Sequence, residues 1–258
     1  MRAAGAAGIV AAAALAVVPA RGERIVSSLT NHQISINSSF TGLDIVLFGT
    51  VEQDEASRPR NTPYDLVVTV LGPPESLVTR RKERVLGIWV NTESRSFVEV
   101  PSYAAALFTR PLDRFVDTEV QRREQLGLRQ LLLRQQIGPD IADVVRDDSF
   151  RVAFLRLKTA RHLYVESPSG VTFLTPNLFR ATIPLPAEVE TGDYAVSVKL
   201  FADGAVVAQD TSAFEVLKVG FEQVVANLAQ THGFLYGLAT AAMALMTGWF
   251  ASVVFRRD

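Results

Sequence analysis

Between about Glu23 and Leu217 the apolar positions fall into short runs separated by turn residues. Leu43–Val51 (LDIVLFGTV) and Tyr64–Leu71 (YDLVVTVL) predict strands, and Gly72-Pro73-Pro74 ends the second. Val85–Val90 and Ser96–Val100 flank Asn91-Thr92-Glu93, which predicts a hairpin there. The period then changes. Residues 114–137 lack strand alternation and predict a helix, with Leu126, Leu133 and Ile137 on one side and Leu128, Leu131 and Leu132 on the other. Gly138-Pro139 stops it. Ser149–His162 predicts a second helix whose apolar stripe is Phe150, Phe154 and Leu157. Alternation returns in LFRATIPL (178–185) and YAVSVKLF (194–201), and Asp203-Gly204 predicts a tight turn into a last strand.

This order predicts a mainly β chain: an immunoglobulin-like sandwich over 23–217 with a helical insert at about 113–162. A single sandwich, early strands pairing with late ones, is preferred over two small domains at about 23–112 and 163–217. The closing segment alone offers too thin a core. Gly192-Asp193-Tyr194 resembles the tyrosine near the start of a late strand in such domains, though the cysteine pair is lacking.

The two ends differ from the middle. Arg2, a mostly apolar run to Ala20 and small residues at Ala20 and Gly22 predict a signal peptide over 1–22. A cut after Ala20 is the near alternative, and an uncleaved N-terminal helix is a further one. Residues 233–255 hold no Asp, Glu, Lys or Arg. As a helix they would rise about 34 Å and cross a hydrocarbon layer of about 30 Å. Arg256 and Arg257 follow and would set the tail, 256–258, in the cytoplasm. A juxtamembrane helix over 218–232 would join the span to a periplasmic body at the bacterial inner membrane. Gly233, Gly237 and Ala241, with Ala244, Gly248 and Ser252, form small-residue stripes that would let a partner helix or a second copy dock in the bilayer.

Composition narrows the chemistry. The chain of 258 residues has no cysteine, so thiolate catalysis and zinc-thiolate sites are excluded. Residues 23–232 carry 22 basic and 26 acidic groups, a net of −4, which argues against nucleic acid as a partner. The sequence has no phosphate-cradling glycine loop, no HExxH and no GxSxG. Asp147-Asp148 suits the N-terminus of the second helix. Arg122, Arg123, Arg129 and Arg134, with Arg151, Arg156, Lys158 and Arg161, could meet anionic lipid headgroups or an anionic ligand, but a solvated helix surface is the plainer reading. No catalytic, cofactor or metal residues are assigned, and no cofactor is expected.

Six stretches are similar to a family of transmembrane proteins from alphaproteobacteria with no assigned function. They are 23–51, ERVLGIWVN (83–91), VPSYAAALFTRPL (100–112), FRVAFLRLK (150–158), GVTFLTPNLFRATIPLP (170–186) and 218–238. The resemblance implies an outer domain with a C-terminal anchor and work beside a permease of the sulfite-exporter type. It brings no active-site motif. The expectation is a non-catalytic, membrane-anchored periplasmic module assisting a membrane protein. The alternative is a tethered enzyme or small-ligand-binding domain with a cleft between insert and sandwich, to which Asp44, Tyr103 and Arg110 would converge.

Overall fold

The computed structural model describes residues 23–52, 63–137, 139–220 and 229–254. The predicted signal peptide at 1–22, and Arg256 and Arg257, lie outside them.

The described chain is mainly β, with three sheets and a small helical insert. One layer holds β1 (Arg24–Leu29), β3 (Gly42–Glu52), β12 (Leu178–Pro186) and β11 (Val171–Phe173), in the order β1-β3-β12-β11. The facing layer runs β10 (Tyr164–Ser167), β7 (Ala104–Phe108), β4 (Asp65–Leu71), β13 (Gly192–Ala202), β14 (Ala205–Lys218), β2 (Gln33–Ile36). Early strands pair with late ones in both layers: β3 with β12, from Thr50↔Leu178 to Gly42↔Pro186, and β4 with β13, from Leu71↔Ala195 to Asp65↔Phe201. Strict alternation along β12 sends Phe179, Ala181, Ile183 and Leu185 into the core between the layers.

The strand β4 reads as an almost unbroken apolar run because both of its faces are covered. Leu66, Val68 and Val70 enter the main core, while Val67 joins a second cluster with Phe108, Val116, Leu126 and Phe201 under the insert. Tyr194 is fully buried, stacks on Phe214 at 4.8 Å and donates its hydroxyl to the Glu190 carbonyl at 2.7 Å. That local strut ties the start of β13 to the turn before it. Burial pushes its hydroxyl up to about 12. Asp203 and Gly204, both at positive φ, close the β13–β14 hairpin.

A third sheet, β5 (Pro74–Val85), β6 (Ile88–Pro101), β8 (Arg134–Ile137) and β9 (Asp140–Asp143), leaves the sandwich. The insert is less helical than predicted. Where a helix over 114–137 is predicted, the structure has the short α1 (Thr118–Arg123) and a 3-10 turn at Leu128–Gln130, and the end of the segment, Arg134–Ile137, is the strand β8. Gln125 and Gly127, both at positive φ, break the helix, and the leucines then serve two different clusters. The second helix forms as α2 (Ser149–Ala160), capped by Asp148, whose Oδ1 accepts from the N–H groups of Phe150 (2.8 Å) and Arg151 (3.2 Å).

The C-terminal helix α3 (Gly233–Val254) corrects the membrane expectation. Among the described residues no helix is long and apolar enough to cross a membrane. The helix α3 holds 22 residues, several of them small or polar. Tyr236, Thr240, Thr247 and Ser252 dilute its apolar character. The structure thus overturns the predicted bilayer-spanning helix over 233–255. The single-pass inner-membrane placement with a periplasmic body, and the transmembrane partner or second copy held through the span, go with it. The stripe of Gly233, Gly237, Ala241, Ala244, Gly248 and Ser252 lies exposed along α3.

Candidate recognition surface

The arm formed by β5 and β6 grows out of the sandwich without a break in hydrogen bonding. The β4–β7 ladder continues through a bend, where Gly72 N–H donates to the Tyr103 carbonyl (2.8 Å) and Ser102 N–H to the Pro73 carbonyl (2.9 Å). Only glycine fits the bend at 72. A Cβ there would sit 2.9 Å from both Ser102 Oγ and Tyr194 Cε1.

The helix α2 clamps the root of the arm. Phe154 stacks on Phe97 at 4.9 Å and meets Tyr164 edge-on at 5.6 Å. Lys158, buried rather than solvated, donates to Glu75 and to the Ser102 carbonyl. Arg151 is also buried and donates to the carbonyls of Arg129 (3.0 Å) and Leu131 (2.7 Å), with burial holding its pKa below the usual guanidinium range. These two cations are thus spent on the fold, and Leu157, assigned to the apolar stripe, is 54% exposed. Further out, the guanidinium groups of Arg95 and Arg81 lie over the Phe150 ring, at 4.7 and 5.1 Å from its centroid.

Past Arg81 the arm stands free. Residues 82–89 are all exposed, and the six residues 80–85 alone extend about 20 Å. The hairpin does not turn at Asn91-Thr92-Glu93, as predicted. Those residues lie inside β6, where the register shifts by one residue. The turn is Leu86-Gly87, with φ of 50° and 88°. Such a two-residue turn ordinarily takes Asn-Gly or Asp-Gly. Leucine hid it from a reading by turn residues.

The tip is apolar on both faces. Val85 pairs with Ile88, and Arg84 with Trp89, so each pair shares a face. Leu86 is 99% exposed, Trp89 70%, Ile88 66% and Val85 45%. Behind the tip come Arg80, Arg81, Lys82 and Arg84 against Glu83 and Glu93. Arg81 bonds Glu93 at 3.0 Å, while Arg80 and Lys82 make no ion pair among the described residues. The outer part of the arm, residues 80–95, carries five basic and two acidic side chains.

A concavity lies between insert and sandwich, an open cleft of about 510 Å³ lined by Phe108, Leu112, Gln121, Arg129, Gln130 and Glu166. Its polar groups largely brace the insert. Glu166 accepts from Leu128 N–H at 2.8 Å, and Gln121 donates to Asp113 (3.1 Å) and to the Val116 carbonyl (3.0 Å). Asp44, Tyr103 and Arg110 do not converge there. Asp44 is exposed on β3, Tyr103 donates to the Pro184 carbonyl at 2.6 Å, and Arg110 forks onto Asp65 at 2.7 and 2.5 Å. Among the described residues no group of His, Asp and Glu could hold a metal ion.

No curated protein matches the chain. Among solved structures, the N-terminal domain of the Streptococcus gordonii adhesin Sgo0707 matches with a TM-score of 0.26 and 10% identity, over 75% of this chain and 32% of that one. The chain thus spans about a third of that adhesin structure, and a likeness this distant carries no argument about fold or function. Residues 24–257 match the family model described as "Putative transmembrane protein (Alph_Pro_TM)". The description speaks for the family, beside a described C-terminal helix that is not long and apolar enough to span. By a match over nearly its whole length, the chain belongs to this family.

Proposed function

We propose that this protein is a non-catalytic recognition module whose binding element is the β5–β6 arm. The observation that carries the reading is the unpartnered apolar tip formed by Val85, Leu86, Ile88 and Trp89 at the end of a clamped hairpin whose outer part is basic. A folded domain gains nothing in stability from holding four large apolar side chains in water, and contiguous exposed apolar groups mark interaction sites. The clamp by α2 gives the arm a fixed root, so less freedom is lost when the tip is buried. This replaces the expected role as an anchored assistant of a permease, which required the span.

The test is a photocrosslinking residue in place of Leu86 in the native cell, with the same residue at exposed Thr182 on β12 as control. The reading expects a defined adduct from position 86 that disappears when Ile88 and Trp89 are changed to Ser. Equal labelling from both positions, or no adduct at 86, overturns it.

A further inference from the structure

Resting on the recognition reading, we infer that the occupant of the arm tip is the headgroup and upper acyl region of an anionic lipid surface. The contact is made from outside by a strand hairpin and involves no spanning helix.

Three observations select this occupant. The first is the layering of the tip. Leu86 leads at the turn, the Val85–Ile88 rung follows, Trp89 and Arg84 share the next rung, and Lys82 and Arg80 come behind along β5. Apolar groups first, an indole beside the first cation next and further cations behind match the order in which a lipid interface presents acyl chains, the headgroup boundary and phosphates. Lys82 and Arg80, without ion pairs among the described residues, remain available for phosphate.

The second is area. Four side chains on a narrow tip offer on the order of a few hundred Å², well below the roughly 800 Å² that each partner gives to a stable protein interface. A protein partner would have to grip the shaft of the arm as well, and the shaft is charged. A lipid surface needs no shape match and accepts the tip alone.

The third is the turn. Leu86 sits in the left-handed region with no atom packed on the neighbouring Gly87. Asparagine or glycine would relieve that backbone strain, so folding does not explain leucine there. A long apolar side chain at the apex serves what the tip enters.

The test uses the full chain with Trp249→Phe, which leaves Trp89 as its single tryptophan. Vesicles of phosphatidylcholine alone and of equal parts phosphatidylcholine and phosphatidylglycerol are added, and Trp89 emission is followed. Sedimentation would not discriminate, because α3 also exposes apolar side chains. The expected result is a blue shift on the anionic vesicles, with quenching by brominated acyl chains. Leu86→Ser with Ile88→Ser should raise the lipid concentration at half-shift at least about tenfold. Arg80→Glu, Lys82→Glu and Arg84→Glu together should do the same, as should raising salt from 0.1 to 0.5 M. All these residues are exposed, so unchanged thermal melting serves as the folding control. A shift of equal size on neutral vesicles, or one indifferent to charge reversal, overturns the inference. If Trp89 stays in water on every vesicle while position 86 crosslinks a protein in cells, the lipid occupant falls and the recognition reading stands. If neither occurs, both fall.

Discussion

Arg95 donates to Asp148 at 2.5 Å, and the same carboxylate, through its other oxygen, caps α2. One side chain therefore closes the helix and holds the root of the arm. Burial alone would raise the Asp148 pKa. The Arg151 N–H, the Arg95 guanidinium and the Phe150 N–H outweigh it and leave it below the usual carboxylate value.

Asp148→Ala should cost about 1–2 kcal/mol, the usual worth of an N-cap. A group with a depressed folded pKa stabilises above its unfolded value and loses that contribution as pH falls through the folded one. Wild type should therefore lose part of its stability as pH falls below about 4, and Asp148→Asn should lose less over that range. Urea unfolding at pH 7 and at pH 3 checks both statements.

Phe154 and Leu157 share the stripe that the sequence suggests, yet only Phe154 is buried. Phe154→Ala should cost about 3–5 kcal/mol, and Leu157→Ser should fall within about 0.5 kcal/mol of wild type. Equal costs in denaturant titrations would mean that α2 turns a different face to the arm.

Gly72→Ala places a Cβ against the Tyr194 ring and Ser102 Oγ at the bend. The expected cost is about 1–3 kcal/mol. Hydrogen exchange should quicken around Gly72 and Ser102 first, because the bonds of the bend are the ones disturbed.

Leu86→Asn should leave the melting temperature unchanged or slightly raised, since asparagine tolerates the left-handed turn better. The same substitution should weaken Trp89 burial on anionic vesicles. A variant that folds as well and binds worse separates the two roles of this position.

Local pattern in the sequence was sufficient for the longer strands β3, β4, β12 and β13, but not for β1, β7, β10 or β11. Alternation in 178–185 and 194–201, the Asp203-Gly204 turn and the Asp148 cap each depend on neighbours a few residues away. The leucines of 126–133 could not be read this way. Their spacing fits a helix, but Leu133 shares a cluster with Phe97 and Leu126 with Phe108, partners 36 and 18 residues away. The arm was missed because its turn carries Leu86 where turn chemistry favours asparagine, so Val85–Val90 reads as one strand.

By itself, then, the sequence determined a β-rich chain with a helical interruption and no cysteine chemistry, because period and composition are properties of neighbouring residues. Tertiary structure decided that Arg151 and Lys158 are buried struts rather than a cationic surface, and that Val85, Leu86, Ile88 and Trp89 gather at one free tip. Burial is set by which distant strands pair and which faces they cover. No local pattern carries that information, so the candidate site became visible only once the sheets were assembled.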